Sequence, residues 1–215
     1  MHWIDPNCLP QPSGTIERFI TNGRGEIDGL VLAGARGRPL LVCTPPHLAA
    51  AIEAVLHIGD TVSVRGIRPR GADILAAVSL TLSDGAVLLD HGPDEHADRR
   101  PVDGCKWSRM AVEGVVRLSL FSPKGELRGA LLADSTVLRV GHKEAARLAD
   151  LLHEGSYLAA AGSGLETKHG RVLDAEEVGP NNRSLSSVKQ ARPKPKQNRN
   201  KDHQPTEKSI SATAR

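Results

Sequence analysis

The sequence predicts an all-β chain of two tandem five-stranded barrels, each with one short helix between its third and fourth strands, followed by a disordered C-terminal tail. Three observations predict it. The chain reads twice: Gly14-Thr15-Ile16 and Gly25-Glu26-Ile27-Asp28-Gly29-Leu30-Val31-Leu32-Ala33 recur 100 residues later as Gly114-Val115-Val116 and Gly125-Glu126-Leu127-Arg128-Gly129-Ala130-Leu131-Leu132-Ala133. Within each copy, short apolar stretches with turn residues between them give way once to helical spacing. Beyond residue 180 the apolar residues thin out, and Lys, Arg, Asn, Gln, Ser and Pro dominate. A self-similar pattern of this kind marks two copies of one small module.

The first copy supplies the elements in order. Gly14 to Thr21, carrying Ile16, Phe19 and Ile20, suits a strand. Asn22-Gly23-Arg24-Gly25 is a turn signal, because Asn and Gly accept positive φ without strain. Ile27 to Ala33 is a second strand, Gly34 to Arg38 a turn, and Pro39 to Thr44 a third strand. From Pro45 to His57 the period changes: Leu48, Ile52, Val55 and Leu56 form one helical stripe, with Thr44 as its expected cap. Gly59 ends that run. Gly59 to Gly66 is a period-two strand, and Ile74 to Leu82 a fifth.

The second copy follows the same plan. Its strands are Val112 to Leu120, Leu127 to Ala133, Val137 to Val140, Ser156 to Ala161 and a weaker one near Arg171 to Val178. Its helix is expected from His142 to His153, with Ala145, Leu148, Leu151 and Leu152 facing inward. The expected boundaries are 12–84 for copy one, 85–106 for a linker, 107–179 for copy two and 180–215 for the tail.

Three strands, a helix and two strands is the element order of the five-stranded Greek-key barrel, the OB-fold. The motifs Gly25-Glu26-Ile27-Asp28-Gly29-Leu30-Val31-Leu32, Pro45-Pro46-His47-Leu48 and Gly59-Asp60-Thr61-Val62-Ser63-Val64-Arg65-Gly66 resemble a group of bacterial, mostly uncharacterised tandem OB-fold proteins. The resemblance is full in copy one and partial in copy two, where Arg128 stands for Asp28, Val140-Gly141-His142 for the Pro-Pro-His, and Gly155-Ser156 for Gly-Asp. It implies a nucleic-acid-binding label, which is a fold-level inference.

Charge is segregated. Residues 181–215 hold nine Lys and Arg against two acids, a net charge of about +7; the whole chain is +3, so residues 1–180 carry about −4. A basic arm on a mildly acidic body suits a polyanion partner, DNA or RNA. The candidate contacts are Arg192, Lys194, Lys196, Arg199 and Lys201 in the tail, and Arg18, Arg24, Arg36, Arg38, Arg65 and Arg68, with Arg70, in copy one. Arginine both stacks and binds phosphate. The alternative is an adaptor whose barrels bind another protein while the tail only adds reach.

Other classes find little support. The three cysteines have no paired spacing, which suits a reducing compartment, and no metal or other cofactor is expected. No signal peptide or membrane-length apolar run is present, so the expected location is cytoplasmic. No nucleophile elbow or HExxH motif appears, so no enzyme is expected. His47 and His142 read as polar residues at helix starts, and Asp90 to Asp98, rich in Asp and His, as a solvated linker rather than a metal site. Asp28 and Arg128, aligned and opposite in charge, either pair across the copies or face water. Only five aromatics occur, Trp3, Phe19, Trp107, Phe121 and Tyr157; Phe19 and Tyr157 are expected in the core and the tryptophans as lids. Few stacking platforms would remain for bases.

Overall fold

In the computed structural model, the described residues are 8–34, 37–92 and 107–188. They form two closed five-stranded barrels. In the first, β1 (Ser13–Thr21), β2 (Ile27–Ala33) and β3 (Pro39–Cys43) make a meander. A single 3-10 turn, Pro46–Leu48, leads into α1 (Ala49–Val55). Then β4 (Thr61–Ile67) and β5 (Ile74–Thr81) return to the sheet, in the order β3-β2-β1-β4-β5, and a parallel β3–β5 pairing closes it. A short added strand, β6 (Val87–Leu89), extends the sheet beyond residue 84.

The second barrel repeats this with β7 (Ser108–Phe121), β8 (Leu127–Leu132), β9 (Val137–Arg139), the helices α2 (His142–Arg147) and α3 (Ala149–Leu152), β10 (Tyr157–Thr167) and β11 (Gly170–Gly179). A parallel β9–β11 pairing and an antiparallel β10–β11 pairing complete it. The order is that of the OB-fold, twice. A two-residue strand, β12 (Ser186–Ser187), pairs with β11, and Val188 is buried in the second core, so residues 180–188 belong to the folded body. The cations expected to contact nucleic acid from the tail, Arg192 to Lys201, lie outside the described residues.

The repeated glycines have a steric cause. At Gly66 and Gly162 each strand bulges, and a Cβ there would stand 2.3 Å from the Ala76 carbonyl oxygen and 2.1 Å from that of Asp174. The β1–β2 and β7–β8 turns also match: Gly25 and Gly125 both have φ of 83°. Asn22 Oδ1 accepts from the Arg24 and Glu26 amides at 2.8 and 3.2 Å, and Ser122 Oγ does the same for Lys124 and Glu126.

The helices depart from expectation. The run expected over 45–57 is α-helical only over Ala49–Val55, because the prolines hold its start in a 3-10 turn. Its cap is Leu48, with Pro45 before the 3-10 turn; Thr44 caps neither, and its hydroxyl is buried without a hydrogen-bond partner. The single helix expected over 142–153 is two. Leu148 leaves helical geometry at ψ of 14°, and its amide is shared between the Glu144 and Ala145 carbonyls, the bifurcated bond of a tightening turn.

Each barrel has its own core: Ile16, Leu30, Leu32, Val62, Val64 and Leu80 in the first, and Val116, Ala130, Leu132, Leu158, Ala160 and Leu173 in the second. Phe19 is buried as expected. Tyr157 is not: it is 48% exposed, because it opens β10 on the outward face of the pleat, opposite Val115. Trp107 is exposed rather than closed over a barrel as a lid, and Trp3 lies outside the described residues.

Candidate functional site

The barrels meet through a third core. Ile20, Val31, Leu41 and Ile74 of the first pack with Leu120, Leu131, Val137 and Val172 of the second, and all eight are at most 3% exposed. Burying each such side chain contributes about 1.5–3 kcal/mol relative to exposure. The two barrels therefore hold together as one body. The seam is formed by the outward side of β2 and β3 and the equivalent side of β8 and β9. OB-folds commonly present the strand-two and strand-three face, with the loops beside it, to oligonucleotides. Here that face is buried in both barrels, and the loops remain exposed.

The repeat aligns Cys43 with Arg139, since Cys43 pairs in register with Gly29 and Arg139 with Gly129. The loop between β8 and β9 is shorter than that between β2 and β3, so the offset falls from 100 before it to 96 after it. Asp28 consequently meets Arg139 rather than Arg128. Arg139 Nη2 donates to Asp28 Oδ1 at 2.5 Å and to the Thr21 carbonyl at 2.7 Å, while Nε reaches the same carbonyl at 3.1 Å. Arg128 turns to Glu126 instead, at 3.4 Å. Burial pushes the Asp28 carboxyl above its usual range, and Arg139 opposes that rise. Cys43 lies beside this pair, donates to the Phe121 carbonyl at 3.3 Å, and has its thiol pushed up to about 12, chiefly by burial and then by Asp28.

Above the pair opens a cleft of about 400 Å³, lined from both barrels by Asn22, Thr44, Pro46, Phe121, Arg128 and Asp174 among others. Among the described residues no group of three His, Cys, Asp or Glu side chains is placed to hold a metal ion.

The candidate arginines are dispersed. Arg24 is exposed in the β1–β2 turn, and the Trp107 ring lies against Gly23 of that turn, 3.9 Å from where a side chain there would begin. Arg38 is exposed before β3, and Arg36 lies outside the described residues. Arg65 donates to Gln11 Oε1 at 3.1 Å. Arg68 pairs with Asp73 at 2.8 Å in the exposed β4–β5 loop, where Arg70 is also exposed. Arg18 is half-buried at the seam.

Histidine partners were not legible in the spacing. His47 Nε2 and Asp90 Oδ1 are 2.8 Å apart across 43 residues, so His47 ties the end of the first barrel to its helix start. The stretch that follows Asp90 leaves the described residues at position 93. His169, at the β10–β11 turn, contacts Glu53 of α1 at 2.6 Å and meets the Phe19 ring edge-on at 5.0 Å. No helix among the described residues is long and apolar enough to cross a membrane.

These features define a tandem OB-fold body with a mixed polar cleft at its seam. No protein-family model and no curated protein matches the chain. Among solved structures it is similar to the wild-type single-stranded DNA binding protein from Thermus aquaticus, at 14% identity and a TM-score of 0.25, over 79% of this chain and 90% of that one. A deletion mutant of the same protein matches at 13% identity and a TM-score of 0.24, over 86% and 95%. At these scores the fold assignment rests on the strand order alone.

Proposed function

We propose that the chain is a non-enzymatic OB-fold binding protein that contacts nucleic acid with little sequence preference. The contact runs through the exposed cations of its loops and through the basic segment at its C-terminal end. One observation carries this reading: a net charge of about +7 lies in residues 181–215 while the rest of the chain is mildly acidic. Polyanion binding by such an arm needs no shaped pocket, only phosphates to displace counterions from. The folded body adds the exposed Arg24 of the β1–β2 turn and the exposed Trp107, whose ring lies against Gly23 of the same turn and is able to stack on a base. Arg38, Arg68 and Arg70 extend the same loop-borne set. The resemblance to bacterial tandem OB-fold proteins belongs to this proposal.

A second reading, a protein adaptor, draws on one feature. Val115 and Tyr157, paired across β7 and β10, are 42% and 48% exposed. An apolar cross-strand pair facing water suits a protein partner better than a phosphate backbone.

Fluorescence anisotropy with labelled single-stranded DNA and RNA separates the two. The full chain is expected to bind, with affinity falling steeply in salt, by about 0.7 in log K per phosphate neutralised for each decade of salt. A chain ending at Val188 should bind much more weakly. Equal binding by both would move the contact onto the barrels. No binding by either at low salt would remove the nucleic-acid reading and leave the adaptor.

A further inference from the structure

We propose that three arginines at the edge of the seam, Arg18 of the first barrel with Arg117 and Arg171 of the second, form a phosphodiester site where a nucleic-acid strand crosses between barrels. This rests on the nucleic-acid reading above and gives it a location on the folded body.

Charge accounting motivates it. Arg117 Nη2 donates to Glu17 Oε2 at 2.8 Å, and Arg171 is ion-paired with Asp134. Glu17 and Asp134 are thus each engaged by another arginine, and Arg18 is left over. Its guanidinium makes no hydrogen bond among the described residues, although Asp134 attracts it from a distance. Nη1 lies 3.8 Å from where a side chain at Gly170 would begin, so the head rests against the β10–β11 turn of the other barrel. Glycine there leaves the approach to Arg18 clear.

The five N–H donors of Arg18 are left to solvent, on a head that burial has already partly desolvated. Its neighbour makes matters worse: burial first, and Arg117 second, pull the Arg18 pKa down. An anion between Arg18 and Arg117 would relieve both costs at once. Phosphate suits the vacancy of acceptors, because its oxygens accept from planar forks on two sides. Arg171 shares Asp134 with Arg18, and the exposed Lys168 sits three residues before it, held to Glu53 at 3.0 Å. The cations come from β1, β7, β11 and the β10–β11 turn, so the site exists only where the barrels are docked.

The test uses the intact chain and a labelled oligothymidylate, titrated at several salt concentrations. Arg18→Gln should weaken binding several-fold at low salt and reduce the slope of log K against log salt by about 1, the signature of one lost phosphate contact. Lys143→Gln, at an exposed cation of α2 outside the proposed contact set, serves as the comparison. If Arg18→Gln loses the native melting transition, Arg18→Lys carries the test: charge stays while the fork is lost, so affinity should fall with the salt slope kept. A wild-type protein that binds, with Arg18 variants matching it in affinity and slope, overturns the seam site and leaves the nucleic-acid reading standing. A wild-type protein that does not bind overturns both.

Discussion

Glu17 and Arg117 occupy the same position in the two repeats, and they meet, with Arg117 Nη2 2.8 Å from Glu17 Oε2. Equivalent residues touch only near an axis that relates the two copies. The seam is therefore a pseudo-symmetric contact whose two sides have diverged to opposite charge. Two identical copies of either barrel would bring like charges together at this point.

The first prediction concerns that pair. Both side chains are one-third to one-half exposed, so the attraction is screened and worth no more than about 1 kcal/mol. Glu17→Arg and Arg117→Glu should each destabilise by about that amount, and the double exchange should restore most of it. Urea unfolding in a double-mutant cycle measures this; additive losses in the double exchange would show that the pair does not couple.

The second concerns pH. The Asp28 carboxyl is raised above its usual value by burial, with Arg139 opposing. The native state therefore holds this proton to higher pH than the unfolded chain does. The contribution to stability is greatest below the unfolded value of 3.8 and is lost as pH rises through the raised native one. Asp28→Asn should remove this segment of the stability-versus-pH curve. Arg139→Leu leaves burial unopposed, so the Asp28 carbon resonance should titrate higher still, and stability near neutral pH should fall by about 3–5 kcal/mol.

The third separates two kinds of glycine. Gly66→Ala and Gly162→Ala would each drive a Cβ into a backbone carbonyl, at 2.3 and 2.1 Å, and are expected to cost at least about 2 kcal/mol. Gly114→Ala meets nothing within 4 Å and should be close to neutral. Thermal unfolding of the three variants decides it.

The fourth concerns thiol reactivity. Cys43 is buried with its thiol pushed up to about 12, so almost no thiolate exists at pH 8. Alkylation followed by peptide mapping should label the exposed Cys8 in the native protein and reach Cys43 only after denaturant is added. Prompt native labelling of Cys43 would mean that the seam opens readily.

Much of each barrel could be read from its own residues. The repeated glycines, the turn residues and the shared face of Val62 and Val64 sit where local pattern puts them, because pleat and turn chemistry act over a few residues. The helices are located by the sequence but their lengths are not: the prolines hold the first start in a 3-10 turn, and the second breaks at Leu148, which the apolar spacing does not mark. Tyr157 departs from expectation because an aromatic residue at a strand end gives no sign of which face it takes.

The site was less legible. The alignment offers Arg128 as a partner for Asp28, whereas the partner found, Arg139, is hidden by the change of offset in a shortened loop. His47 and Asp90 are paired by barrel closure across 43 residues, a separation that no motif encodes. Arg18 was marked as a cation; that it stands with Arg117 and Arg171 follows only from docking the two copies.

By itself, then, the sequence determined two copies, their strand order and the segregation of basic charge into the C-terminal segment. The runs Leu30-Val31-Leu32 and Leu40-Leu41-Val42-Cys43 are apolar on both sides, as strands buried on both faces are. Only the tertiary structure decided that the cover is the other barrel, that the usual OB-fold binding face is thereby closed, and which charges meet across it. The reason is physical: periodicity is fixed by backbone geometry within one strand, whereas a seam is chosen by the fit of two finished surfaces.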